Sequence, residues 1–342
     1  MTSTKKKRKP TSSLLARRQV AASSSLATTK PLPSKLSRKL IRSHHTAQKR
    51  LSQAIQQNDT TAITTLTSQL SSSTGNLEAY QRASVSGQSS KRGGDSSKIL
   101  VDWFLQLGLP KPGHAQNPNP NHPNDRGPPS AYRLLEIGCL SPSNAIHSYF
   151  PNSYRTLLDL NSLHPEIIKQ DFMTFPVPKS VDEGYDVVSC SLVLNYVPTP
   201  VGRGDMLKHI SLFMEQALQK RRQRLNLGLN SSSGPQPRRD IESENTETET
   251  GRKGAKDACW DDSLPALFLV LPAPCVTNSR YLTEKKLGEI MTSLGYEVVR
   301  RKLSPKLVYY LYKYIGNGKG GAFKKVELLP GGKRNNFAIV VE

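Results

Sequence analysis

From Arg133 to the C-terminus, short apolar runs alternate with helix-patterned segments, and this alternation constrains the fold more than any other feature of the chain. Arg133 to Ile137, Arg155 to Leu160, Asp186 to Cys190 and Leu267 to Leu271 have the length and composition of buried strands. A helix pattern runs from about Gly204 to Arg224. A second is marked by Thr283 as its cap, by Leu287, Ile290, Met291 and Leu294 on one face, and by Gly295 at its end. Tyr296 to Leu303, Leu307 to Ile315 and Phe337 to Val341 read as closing strands. Strands and helices alternating over about 200 residues predict an α/β fold with a doubly wound sheet.

The rest of the chain divides around that block. Residues 1–35 are rich in Ser, Thr, Lys and Pro and read as a disordered basic tail. Residues 36–109 read as a helical accessory region. Leu36, Leu40, His44, Ala47, Leu51, Ala54 and Ile55 recur at helical steps to about Asn58, and Ala62 to Leu70 continues as a shorter helix. His44 and His45 are adjacent, so on a helix they point about 100° apart and make a poor metal pair. A polar, glycine-punctuated stretch around Arg92-Gly93-Gly94-Asp95-Ser96-Ser97 precedes an apolar helix at Ile99–Leu105, a pattern shared by ordinary connecting loops, the commoner case, and by loops that cover a ligand. Residues 110–130 are a Pro/Asn/Gly linker, and residues 131–342 form the α/β domain. Within it, residues 221–262 read as a low-complexity insert looping out between a helix and a strand.

Charge narrows the partners. The net charge is +21, and the first fifty residues hold 8 Lys and 6 Arg with no acid before Asp59. Such a field draws polyanions. No apolar stretch approaches the roughly 20 residues of a membrane-spanning helix, and Lys5-Lys6-Lys7-Arg8-Lys9 reads as a nuclear-import cluster. Cys139, Cys190, Cys259 and Cys275 show neither a CxxC pair nor zinc-ligand spacing, so no metal centre is expected and a reducing compartment fits.

Ligands of a doubly wound sheet bind outside the carboxyl ends of its strands. The first strand ends at Gly138, where the lack of a side chain lets backbone lie against a cofactor. Asp159 ends the next strand, placed to accept hydrogen bonds from both ribose hydroxyls of an adenosine. After Gly138 comes Cys139-Leu140-Ser141-Pro142-Ser143-Asn144, without the further glycines that admit a dinucleotide pyrophosphate, which disfavours NAD or FAD. A nucleoside carrying an amino acid needs no such cradle. One strand further on, Asp171 can accept from an adenine amino group while Phe172 packs on the ring. Ser191, Asn195 and Tyr196 leave the following strand as candidate contacts to cofactor or substrate.

These segments together resemble one family. RLLEIG, TLLDLN, IIKQDF, SLVLNYVP with GRGDMLKH, and the upstream YQRAS and RGGDSSK are similar to the fungal nucleolar methyltransferases that modify N1 of an adenine in 25S (large-subunit) ribosomal RNA. The resemblance implies a Rossmann-like class I methyltransferase sheet with an N-terminal helical extension. It implies S-adenosyl-L-methionine bound at Gly138, Asp159, Asp171, Phe172 and Ser191, with ribosomal RNA or pre-ribosomal particles as partner and a nucleolar location. Asn195 and Tyr196 are the candidates for orienting the target base, and no catalytic base is expected, since adenine N1 carries its own lone pair at neutral pH. Animal relatives with similar motifs sense S-adenosylmethionine without catalysis, which leaves a cofactor-binding sensor as the alternative.

Overall fold

Strands that read as apolar throughout lie in the middle of the sheet. The computed structural model describes residues 33–71, 83–84, 94–109, 132–162, 164–231 and 260–342. The tail to residue 32, the linker at 110–130, residues 232–259 of the insert and Tyr80 to Arg82 of the upstream motif lie outside them. Seven strands form one sheet: β1 (Leu134–Ile137), β2 (Arg155–Asp159), β3 (Ile168–Lys169), β4 (Val187–Ser191), β5 (Ala266–Pro272), β6 (Tyr296–Leu303) and β7 (Leu307–Tyr314). Their order is β3-β2-β1-β4-β5-β7-β6, with only β7 antiparallel to its neighbours. The direction of winding reverses between β1 and β4, so a cleft opens at their carboxyl ends.

The helices are α1 (Ser34–Gln56), α2 (Thr60–Ser71), α3 (Ser97–Gln106), α4 (Pro200–Ser231), the single turn α5 (Pro274–Thr277) and α6 (Glu284–Ser293). Alternate residues of β5 face opposite layers. Leu267, Leu269 and Leu271 join Leu207, Ile210 and Phe213 of α4 and Leu287, Ile290 and Met291 of α6. Ala266, Phe268 and Val270 join Leu100, Trp103 and Phe104 of α3. Trp103 meets Phe268 edge-on at 6.0 Å between ring centroids. Burying side chains of this size contributes roughly 1.5–3 kcal/mol each, so these contacts anchor α3 to the sheet. Thr283 caps α6 by accepting from the Lys286 amide at 3.2 Å, and Gly295 ends it at φ +85°. Edge strand β6 carries Glu297, Arg300, Arg301 and Lys302 and a register shift between Val298 and Arg300, features that discourage pairing with another chain.

The structure departs from the sequence expectation in three places. Among the described residues the connection after β1 holds only the 3-10 turns Ala145–Tyr149 and Asn152–Tyr154, that after β2 holds no helix, and that after β3 holds only Phe172–Thr174, so helices do not alternate with every strand. Segment 140–154, with its Pro, Ser and Asn, is a poor helix former, and α3, which precedes β1, covers that face instead. Phe337 to Val341 is no sheet strand. Apart from one bridge between Val341 and Phe323 it runs as extended chain along the start of α4, with the Val340 amide donating to the Pro200 carbonyl at 2.9 Å. Its continuous apolar run is buried beside α4, where a Cβ on Gly204 would lie 1.8 Å from the Val340 oxygen. Finally, α4 continues to Ser231, so residues 221–231, whose composition reads as the start of a loop, are helical.

Candidate active site

A cavity of about 940 Å3 opens at the carboxyl ends of β1, β2 and β4. Its strand-end floor contains Gly138, Asp159, Asp171, Phe172 and Ser191, all singled out from the sequence, and Tyr196 reaches the same space. Asn195 is not among the lining residues, and its Oδ1 is buried without a hydrogen-bond partner.

Gly138 is fixed by two constraints. Its φ is +74°, and a Cβ there would come within 2.3 Å of Val193 Cγ2, itself part of the cavity wall. Only glycine meets both. The loop that follows is held from within the sheet. Glu136 of β1 is buried and accepts from Asn144 Nδ2 at 2.8 Å and from His147 Nε2, while His147 Nδ1 meets the Pro142 carbonyl at 2.8 Å. Burial disfavours the imidazolium, but hydrogen bonding and charge from Glu136 outweigh it and raise the His147 pKa. Glu136, Cys139 and His147 lie close enough for an ion, yet both imidazole nitrogens are already engaged, so the trio reads as a loop anchor. Burial pushes up the thiols of Cys139, Cys190 and Cys275, the last two to about 12, which keeps all three protonated and unreactive.

Asp159 ends β2 with Oδ1 accepting from the Asn161 amide at 2.8 Å. Asp171 caps the turn Phe172–Thr174 through the Met173 amide at 2.9 Å, and Phe172 is buried against Phe213 and His209. The glycine-punctuated motif before α3 is built into this site. Asp95 accepts from the Ser97 amide and hydroxyl, each at 2.8 Å, and from the Ala145 amide at 2.6 Å, which ties α3 to the loop after β1. Gly94, at φ +74°, and Ser96 line the cavity, and the Ser96 hydroxyl bonds that of Ser191 at 2.8 Å. Next to Ser191, Leu192 holds φ +57°, a conformation that costs a non-glycine residue roughly 1–2 kcal/mol and that concentrates at functional sites.

Two parts of the cavity wall carry no motif. Ile41, His45, Gln48 and Ser52 of α1 fall on one helix face and close one side. Ser304, Pro305 and Lys306, the turn between β6 and β7, close another. The spacing of α1 announces a buried face, but nothing in it says against what. The β6–β7 turn has no distinctive residue.

A floor with a glycine at a positive φ after β1, a carboxylate at the end of β2 and a second after β3, in a sheet of this order, suits an adenosine-bearing ligand. Residues 64–339 match the family described as "25S rRNA (adenine(2142)-N(1))-methyltransferase, Bmt2". The chain belongs to this family. The 25S rRNA adenine-N(1) methyltransferase of Schizosaccharomyces pombe is 35% identical over 266 residues, 77% of this chain and 76% of its own length. The 25S rRNA (adenine(2142)-N(1))-methyltransferase of Saccharomyces cerevisiae is 30% identical over 271 residues, 78% of this chain and 60% of its own. The Bmt2 span takes in α3, the whole sheet and the cavity floor. It begins inside α2, so α1 and its cavity-lining face precede it.

Proposed function

We propose that this chain uses S-adenosyl-L-methionine to methylate N1 of an adenine in 25S ribosomal RNA, and that it does so in the nucleolus. The observation that carries the reading is the convergence of Gly138, Asp159, Asp171, Phe172 and Ser191 on one cavity at the switch point of a methyltransferase-type sheet. When bound, the cofactor supplies an electrophilic methyl group on a sulfonium. The residues present fit it: Gly138 leaves backbone rather than side chain at the end of β1, and Asp159 offers a carboxylate to ribose hydroxyls. Asp171 offers an acceptor to the adenine amino group, and Phe172 an apolar surface to the ring.

Adenine N1 brings its own lone pair, so this site needs no general base, and its residues act by placing the acceptor in line with the methyl group. With the cofactor bound, these residues would hold adenine N1 facing the methyl group, and the methylated base would carry a positive charge. The target base is held out of its stack, with Tyr196, which lines the cavity, as the orienting group; Asn195 lies off the cavity wall and does not share that role. Exposed Lys35, Arg38, Lys39, Arg42, Lys49 and Arg50 on α1, which has no acidic residue, hold the RNA backbone. Residues 1–35 serve as the basic targeting tail, with Lys5 to Lys9 as the import signal.

Mass spectrometry of large-subunit rRNA nucleosides from cells lacking the chain tests the proposal. Loss of N1-methyladenosine, restored by the wild-type chain but not by an Asp159→Ala variant, is the expected result. An unchanged N1-methyladenosine content contradicts it and favours a protein that binds S-adenosylmethionine without transferring its methyl group.

A further inference from the structure

Tyr196 and His45 form the one stacked ring pair that bridges α1 and the strand-end floor among the described residues. Their centroids lie 3.7 Å apart with the planes inclined by 15°, and both side chains line the cavity. Tyr196 is 41% exposed and follows β4 by five residues, beyond Ser191. It thus stands on the substrate side of the site rather than on the side of Asp159 and Asp171.

We propose that the Tyr196 ring is the stacking platform for the target adenine, and that in the RNA-free protein the His45 ring occupies this platform as a stand-in for the base. The inference rests on the proposed adenine methylation and adds the occupant of one subsite. Three observations support it. The cavity is at the upper end of the roughly 300–1,000 Å3 usual for small-ligand sites, so it has space beyond a single nucleoside ligand. Burial, and then the neighbouring His44, lowers the His45 pKa to about 4, against a hydrogen bond with Gln48 at 3.2 Å. His45 is therefore a neutral, flat heteroaromatic ring at physiological pH, the same kind of surface as a nucleobase. And the rings are in van der Waals contact, so no third ring fits between them.

The base must then replace His45 rather than join it. A sandwich requires α1, with α2 packed on it, to retreat by a ring's thickness. Replacement requires a side-chain rotation of His45 with loss of its bond to Gln48, and leaves the helix where it is. The N1-methyladenine product is cationic, and an electron-rich phenol face holds such a ring more tightly than it holds a neutral one. His45 lies on α1, ahead of the span matched to the family.

The test measures binding of an unmethylated 25S rRNA fragment by wild type, His45→Ala, His45→Phe and Tyr196→Ala, with S-adenosylhomocysteine present. Methyl transfer to the same fragment is measured in parallel, and each variant's melting is checked. His45→Ala is expected to tighten RNA binding about 2- to 10-fold, the equivalent of one aromatic pair. His45→Phe, which stacks at least as well and does not leave as readily, is expected to weaken it. Tyr196→Ala is expected to weaken it while S-adenosylmethionine binding persists. Unchanged or weaker binding by folded His45→Ala overturns the stand-in, and if wild type still makes N1-methyladenosine the enzymatic reading survives. A wild type that neither binds nor methylates the fragment overturns both.

Discussion

At Gly138 a single residue carries both the fold and the site. A side chain there meets a φ of +74° and Val193 Cγ2 at 2.3 Å, so Gly138→Ala is expected to lose about 1–3 kcal/mol of stability even before any cofactor is considered. Urea denaturation of the ligand-free protein measures this, and an unchanged midpoint contradicts it. His147 offers a pH-dependent test of the loop anchor. Its folded pKa is raised above the ordinary value of 6.5, so the folded state holds its proton more tightly than the unfolded chain does. The stabilisation is therefore complete below 6.5 and is lost as pH rises through the folded value. The difference in stability between wild type and His147→Gln is expected to shrink between a pH under 6.5 and one about two units higher. A difference that grows with pH contradicts the assignment. The importance of Gly138 and Asp159 is legible in the sequence because strand ends are legible. The left-handed Leu192 is not, since no residue type announces that a leucine sits at φ +57°.

At the scale of elements, what reads easily is what depends on local pattern. The strands of the core, the cap at Thr283 and the stop at Gly295 follow from neighbours within a few residues. What reads poorly depends on partners far along the chain. Phe337 to Val341 is a short apolar run that reads as a buried strand, but its backbone meets Pro200 and Phe323 instead of a sheet neighbour. The helix α3 lies ahead of a long linker, yet it packs under β1, β4 and β5, in the place that strand–helix alternation reserves for a helix after β1. The RGGDSSK motif is conspicuous as a string, while its work becomes clear only when Asp95 is seen to accept the Ala145 amide. Three hydrogen bonds converge on that carboxylate, two of them from α3 and one from the loop beyond β1. Asp95→Ala is accordingly expected to cost about 2–3 kcal/mol, within the range for bonds to a charged acceptor. It should also raise hydrogen exchange in the loop after β1. Normal protection of that loop in the variant contradicts the link.

For the molecule as a whole, charge and cavity are arranged to different ends. Acidic Asp159 and Asp171 lie on the cavity floor, whereas every charged residue of α1 is basic and Lys306 stands in the β6–β7 turn. The floor suits a nucleoside with hydroxyl and amino donors, and the outside suits a phosphate backbone. Replacing Lys39, Arg42 and Lys49 by Gln is expected to flatten the dependence of log RNA affinity on log salt by about 2–3, close to one for each phosphate that is no longer neutralised. S-adenosylmethionine affinity should not follow this salt dependence. A slope equal to that of wild type means that α1 is not part of the RNA surface.

The most direct measurement is methyl transfer by the purified protein to 25S rRNA taken from cells lacking the chain, with labelled S-adenosylmethionine and nucleoside analysis of the product. The label is expected in N1-methyladenosine with the wild-type protein. It should fall at least tenfold with Asp159→Ala at limiting cofactor, in line with a lost hydrogen-bonding carboxylate of about 1.5–3 kcal/mol. Repeated absence of N1-methyladenosine, on rRNA shown to be unmodified and with S-adenosylmethionine binding confirmed, contradicts the account.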